Sequence, residues 1–82
     1  MKNIVIIGAG GVGKETALLI EQINHISPTW KLLGFIDDNT VVHNTHINGY
    51  EVLGGLGYLM AQSKIEIYAV CAIVNFRAKL TV

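Results

Sequence analysis

Only one cysteine occurs among the 82 residues, so no disulfide can form within the chain and a cysteine-stapled scaffold is excluded. Cys71 lies in the apolar run 68–74, where the sequence predicts a small buried hydrophobe. An excess of one charge is absent as well. Six basic and six acidic residues cancel, which removes the electrostatic footprint of a nucleic-acid or anionic-membrane binder. No apolar run approaches the roughly 20 residues of a membrane span. The amino-terminal run 4–7 is broken by glycines before it reaches signal-peptide length, so a cytoplasmic protein is expected. Internal repeats, low-complexity tracts and linkers are missing, and no Ser-His-Asp, Cys-His or catalytic paired-carboxylate constellation is evident. His43 and His46 are three apart, but no cysteine or acid stands near enough to complete a metal site.

What is present is apolar and compact in character: 51% of residues are hydrophobic and 15% charged, which argues against a disordered tail. The length falls below the roughly 100 to 200 residues usual for a domain. Residues 1–82 therefore make one domain with one core, too short for a complete two-half dinucleotide fold.

Residues 3–7 are β-branched and continuously apolar, which suits a strand covered on both faces of a parallel sheet. Over 14–24, Ala17, Leu18, Ile20 and Ile23 recur at helical spacing, and the helix should stop before Ser27-Pro28. A second strand is predicted over 30–36 and ends in Asp37-Asp38. A loop with one short edge strand follows over 39–48, an extended piece over 49–53 and a turn at Gly54-Gly55. A brief helix is expected over 56–62, a third substantial strand over 65–74 and the opening of a helix over 75–82. Alternating strands and helices predict an α/β, small Rossmann-like three-layer domain with a short parallel sheet of about 3–4 strands, incomplete at its carboxyl end. Its last strand, poorly covered on one face, makes a homo-oligomer an expectation.

The segment Gly8-Ala9-Gly10-Gly11-Val12-Gly13 satisfies G-x-G-x-x-G directly after a strand and at the opening of a helix, the context that gives the pattern meaning. The first glycine serves the tight turn, the second the close approach of a ligand, and the third helix–sheet packing. Free amides and the positive end of the helix dipole then favour a phosphate. Gly8, Gly13 and Lys14 also match part of a P-loop, but Glu15 stands where a magnesium-binding hydroxyl is needed. Asp37 follows Gly13 at about the interval where a NAD-binding fold places its ribose-binding acid. NAD(P) binding by an oxidoreductase or regulatory domain therefore stands as an alternative, beside a structural remnant that binds nothing.

Four segments, taken in order, carry a more specific resemblance: 3–15 with the glycine loop, Gly34-Phe35-Ile36-Asp37-Asp38, Gly49-Tyr50-Glu51-Val52-Leu53-Gly54, and Ala72-Ile73-Val74-Asn75. Together they resemble the amino-terminal domain of bacterial sugar acyltransferases, which include sialic acid O-acetyltransferases and the N-acetyltransferases that modify UDP-amino-sugars. The resemblance implies a nucleotide-sugar-binding domain in polysaccharide or glycan synthesis. Acetyl-CoA and the catalytic histidine would belong to a separate left-handed β-helix, so this domain would not be catalytic alone. By the same resemblance Gly10, Gly11 and Val12 would line the diphosphate or sugar, with Gly8 and Gly13 in the same substrate-binding loop, Asp37 and Asp38 would approach the uridine, and Val74 would flank the ligand. No metal and no resident cofactor are implied for this domain.

Overall fold

The computed structural model describes residues 1–62 and 65–72. In chain order the elements are β1 (Lys2–Ile7), α1 (Gly11–Ile26), β2 (Trp30–Ile36), a 3-10 turn (Thr40–Val42), β3 (His46–Ile47), β4 (Tyr50–Gly54), α2 (Leu56–Met60) and β5 (Tyr68–Cys71). They form one sheet in the order β3-β4-β2-β1-β5. β1 runs parallel to both β2 and β5, and β2 runs parallel to β4. Among the described residues the sheet has five strands, against the expected three or four, because His46–Ile47 folds back antiparallel onto β4 as a two-residue edge strand. The domain is otherwise the small Rossmann-like α/β unit that the strand–helix alternation predicts.

Side-chain alternation, shifted once by an extra residue at Leu33, explains the layers. Ile4, Ile6, Phe35 and Val52 share one face of the sheet, where Ala17 and Ile20 of α1 complete a buried cluster. The opposite face presents Val5, Leu33 and Leu53, which line a crevice with Tyr58 and Leu59 of α2. Phe35, with no exposed surface, is the largest side chain of the core.

α1 meets the sheet through a narrow stripe, Gly13, Ala17 and Ile20, spaced four and three residues apart. Leu18 and Ile23, which the helical spacing assigned to the apolar face, are 50% and 38% exposed. They fall to the sides of that stripe. Ser27 ends the helix as expected, its amide bonding Ile23 O. Asn24 then ties the helix end to the next strand: its Nδ2 donates to Trp30 O (2.6 Å), and its Oδ1 accepts from Thr29 N (3.0 Å) and Trp30 N (2.9 Å). Trp30 packs against the core and meets Tyr68 edge-on, with centroids 5.6 Å apart.

β5 is shorter than the strand expected over 65–74. Its pairing with β1 covers only Ile4↔Tyr68 through Ile7↔Cys71, and ahead of it the side chain of Asn3 donates to Glu66 O at 3.4 Å in place of a continued ladder. Cys71 is exposed, contrary to the buried position its apolar run suggested, because β5 is an edge strand with three of its four residues exposed. The helix expected over 75–82 lies outside the described residues. Among the described residues, no helix is long and apolar enough to cross a membrane.

The β3–β4 hairpin is pinned to α1 by Tyr50, whose hydroxyl donates to Glu21 Oε2 at 2.8 Å. That hydrogen bond, then burial, then the Glu21 charge raise the Tyr50 pKa above its ordinary value of 10.0. A raised phenol pKa means that folding favours the protonated form, so this link contributes fully below about pH 10 and is lost as pH rises through the higher folded value. Spectrophotometric titration should show Tyr50 ionising above its ordinary value, and Glu21→Gln should bring it down.

Candidate ligand site

The carboxyl end of β1 turns sharply into α1. Gly8 sits at φ +107°, a conformation that disfavours any residue with a side chain, and its amide bonds Ile36 O at 2.7 Å. Ala9 is buried, and Gly10 caps the helix in an extended conformation. The first bond of the helix runs from Lys14 N to Gly10 O. The amides of Gly11, Val12 and Gly13 precede it and find no acceptor among the described residues. No acid occupies the first turn to neutralise the dipole.

Asp37 follows β2 and braces this turn. Its Oδ2 accepts from Ala9 N at 3.0 Å, and its Oδ1 accepts from Asn39 N at 2.9 Å. Its own amide donates to Gly54 O at 2.9 Å, which fixes it to the end of β4. Asp38 reaches the opposite way, accepting from Leu56 N at 3.1 Å and so holding the start of α2. The two neighbouring acids thus clamp different elements, and each retains lone pairs that no donor among the described residues uses.

Between these elements lies a cavity of about 360 Å³, lined by Ile7, Gly8, Ala9, Gly10, Ile36, Asp37, Asp38, Leu56 and Ala72. It sits beyond the carboxyl ends of β1, β2 and β5. The chain order steps from β1 through β2 to β4 on one side and then returns to the other side of β1 at β5. This is the topological switch point, where open parallel sheets bind ligands. The walls are apolar side chains and backbone, and among the described lining residues Asp37 and Asp38 supply the only charged groups. An anion placed here is repelled near the acids and attracted by the free amides of α1. The Gly10 side thus favours an anion, and the acid side a hydrogen-bond donor.

Of the residues singled out from the sequence, Gly8, Gly10, Asp37 and Asp38 meet at the cavity. Gly11 and Val12 lie exposed on the first turn of α1, beside the cavity and not in its lining. Gly13 is buried: a Cβ there would stand 2.2 Å from Gly8 O and 3.3 Å from Phe35 Cε1, so this glycine serves close packing of helix on sheet. Val74 lies outside the described residues. Lys14 is exposed, and no cluster of three or more metal-ligating side chains occurs among the described residues. Sequence reading missed Leu56 and Ala72. Ala72 escaped because the predicted strand runs to residue 74, whereas β5 ends at Cys71 and Ala72 N bonds Ile7 O at 2.7 Å just past it.

A search of curated proteins finds no match to this chain. A family model does match, over residues 3–82, and it describes the PglD N-terminal domain. With a glycine turn, doubled acid and switch-point cavity inside that span, the chain belongs to the PglD N-terminal domain family, the amino-terminal domain of a UDP-sugar acetyltransferase.

Proposed function

We propose that this domain binds a UDP-amino-sugar or related nucleotide-sugar for a sugar acetyltransferase of glycan biosynthesis, and that it is not catalytic by itself. The cavity at the switch point is the observation that carries the reading. In this reading the diphosphate lies over Gly10 and the free amides of Gly11 and Val12, where charge-assisted hydrogen bonds contribute about 1.5–3 kcal/mol each. Gly8 and Gly13 shape the turn beneath it. The nucleoside lies between Asp37 and Asp38 on one side and Leu56 and Ala72 on the other, with the unused carboxylate lone pairs accepting from ribose hydroxyls or the base imide. Val74 is assigned to the far flank of the ligand. Acetyl-CoA, the acyl donor, is assigned to another domain of the enzyme.

The NAD reading relied on Asp37 as a free ribose acceptor. Both of its oxygens hold backbone amides and keep lone pairs that a ribose hydroxyl of either ligand could use, so the acid does not by itself choose between NAD and a UDP-sugar. Isothermal calorimetry separates the two. A saturable one-to-one isotherm is expected with UDP-N-acetylglucosamine, and NAD should bind at least about tenfold more weakly, a difference of 1.4 kcal/mol. Tight NAD binding without UDP-sugar binding would overturn the proposal, and heat from neither would favour a structural remnant.

A further inference from the structure

We propose that His43, which lies outside the cavity, is a positioning residue for the ligand site, setting the Asp37–Asp38 peptide and through it both carboxylates. His43 was weighed above only as half of a metal pair with His46. The two do not act together: His46 is exposed on β3, whereas the half-buried His43 turns its ring back to the end of β2.

The contact is between His43 Nε2 and the backbone oxygen of Asp37. A carbonyl oxygen can only accept, so Nε2 must carry the hydrogen, which fixes the ring as the Nε2–H tautomer or as imidazolium. That carbonyl belongs to the peptide joining Asp37 to Asp38, so the bond holds the plane from which the two side chains diverge. One side chain continues to Ala9 N in the glycine turn and the other to Leu56 N at α2. His43 is placed to do this by the short turn before it. Asn39 Oδ1 accepts from Val41 N at 3.1 Å to open the 3-10 turn, and His43 N closes it on Thr40 O at 3.2 Å. The chain of bonds thus runs from an imidazole outside the cavity to the amide of its floor.

The proposal rests on the ligand reading above, so its test includes a readout that needs no ligand. That readout is the exchange rate of the Ala9 amide, which the Asp37 carboxylate protects. His43→Ala should speed Ala9 exchange and weaken UDP-N-acetylglucosamine binding, each by roughly tenfold, the scale of one lost hydrogen bond. His43→Gln, whose side-chain amide can donate to the same carbonyl, should recover both to within about threefold. Wild-type behaviour of His43→Ala in both measurements would overturn the proposal. So would equal losses in the Ala and Gln variants that merely follow a lowered melting temperature, since packing alone would explain them. If the wild-type domain fails to bind the UDP-sugar, the functional reading fails, and the Ala9 exchange rates alone decide the role of His43.

Discussion

Gly13→Ala should cost this domain about 3 kcal/mol, the upper end of the usual penalty for overpacking a well-filled site. The added methyl would meet Gly8 O at 2.2 Å and Gly8 C at 3.2 Å. These are backbone atoms of a tight turn, not the end of a flexible side chain, so either α1 must lift from the sheet or the turn must open. For a domain of this size each kcal/mol moves the melting temperature by roughly 4–8 °C, so circular dichroism should record a fall of at least about 12 °C. Gly57→Ala is the internal control. Nothing lies within 4 Å of a Cβ there, and the position is inside α2, so alanine should stabilise by about 0.5–1 kcal/mol through reduced freedom of the unfolded chain. The same substitution at two glycines is therefore expected to move the melting temperature in opposite directions.

Gly10→Val should separate binding from folding. No atom lies within 4 Å of a Cβ at Gly10, and its backbone is already extended, so the variant should fold with a loss of no more than about 1 kcal/mol from poorer capping. Its branched side chain would fill the space over the first turn of α1 that the diphosphate is proposed to occupy. Loss of two charge-assisted hydrogen bonds at about 1.5 kcal/mol each corresponds to roughly a hundredfold weaker binding. Calorimetry with UDP-N-acetylglucosamine checks this beside a thermal melt of the same sample. Unchanged affinity in a well-folded Gly10→Val protein would remove the phosphate from this loop. Gly13→Ala cannot give that answer, because it attacks the scaffold.

The sequence makes the frame legible where a segment is governed by its own pattern. β2 is found at residues 30–36 as expected, since a continuous apolar run bounded by Pro28 and the acid pair has few other solutions. α1 starts at Gly11, three residues before the predicted start, because glycine there reads as loop in isolation. The helix tolerates it because packing against Gly8 demands a glycine at position 13. The outer positions Leu18 and Cys71 were misjudged for one reason: hydropathy reports preference for burial, while exposure depends on which neighbour the topology supplies. Gly8, Gly10, Asp37 and Asp38 were legible as site residues through a motif and its spacing. The partners of each acid were not, because Ala9 and Leu56 are chosen by loop paths that no periodicity encodes. His43 is the extreme case, since its partner is a backbone oxygen and so leaves no trace in side-chain patterning.

β2 pairs with β1 in two registers, Ile4↔Leu32 and then Val5↔Gly34, which leaves Leu33 as an extra residue in the ladder. A strand reverses its facing at every residue, so one inserted position exchanges inside for outside in all that follows. Counted from Leu32 without the bulge, Phe35 would point away from α1 and Ile36 toward it. With it, Phe35 joins Ile6 under the helix. The acid at the strand's end inherits the same half-turn, so the aim of Asp37 at the glycine turn is decided four residues upstream, at Leu33. β2 is therefore two half-strands of opposite handedness of facing, the first gripping the amino-terminal edge through Trp30 and the second delivering the recognition end. An aligned relative lacking one residue here would present its acid to the other side of the sheet, even with every motif intact.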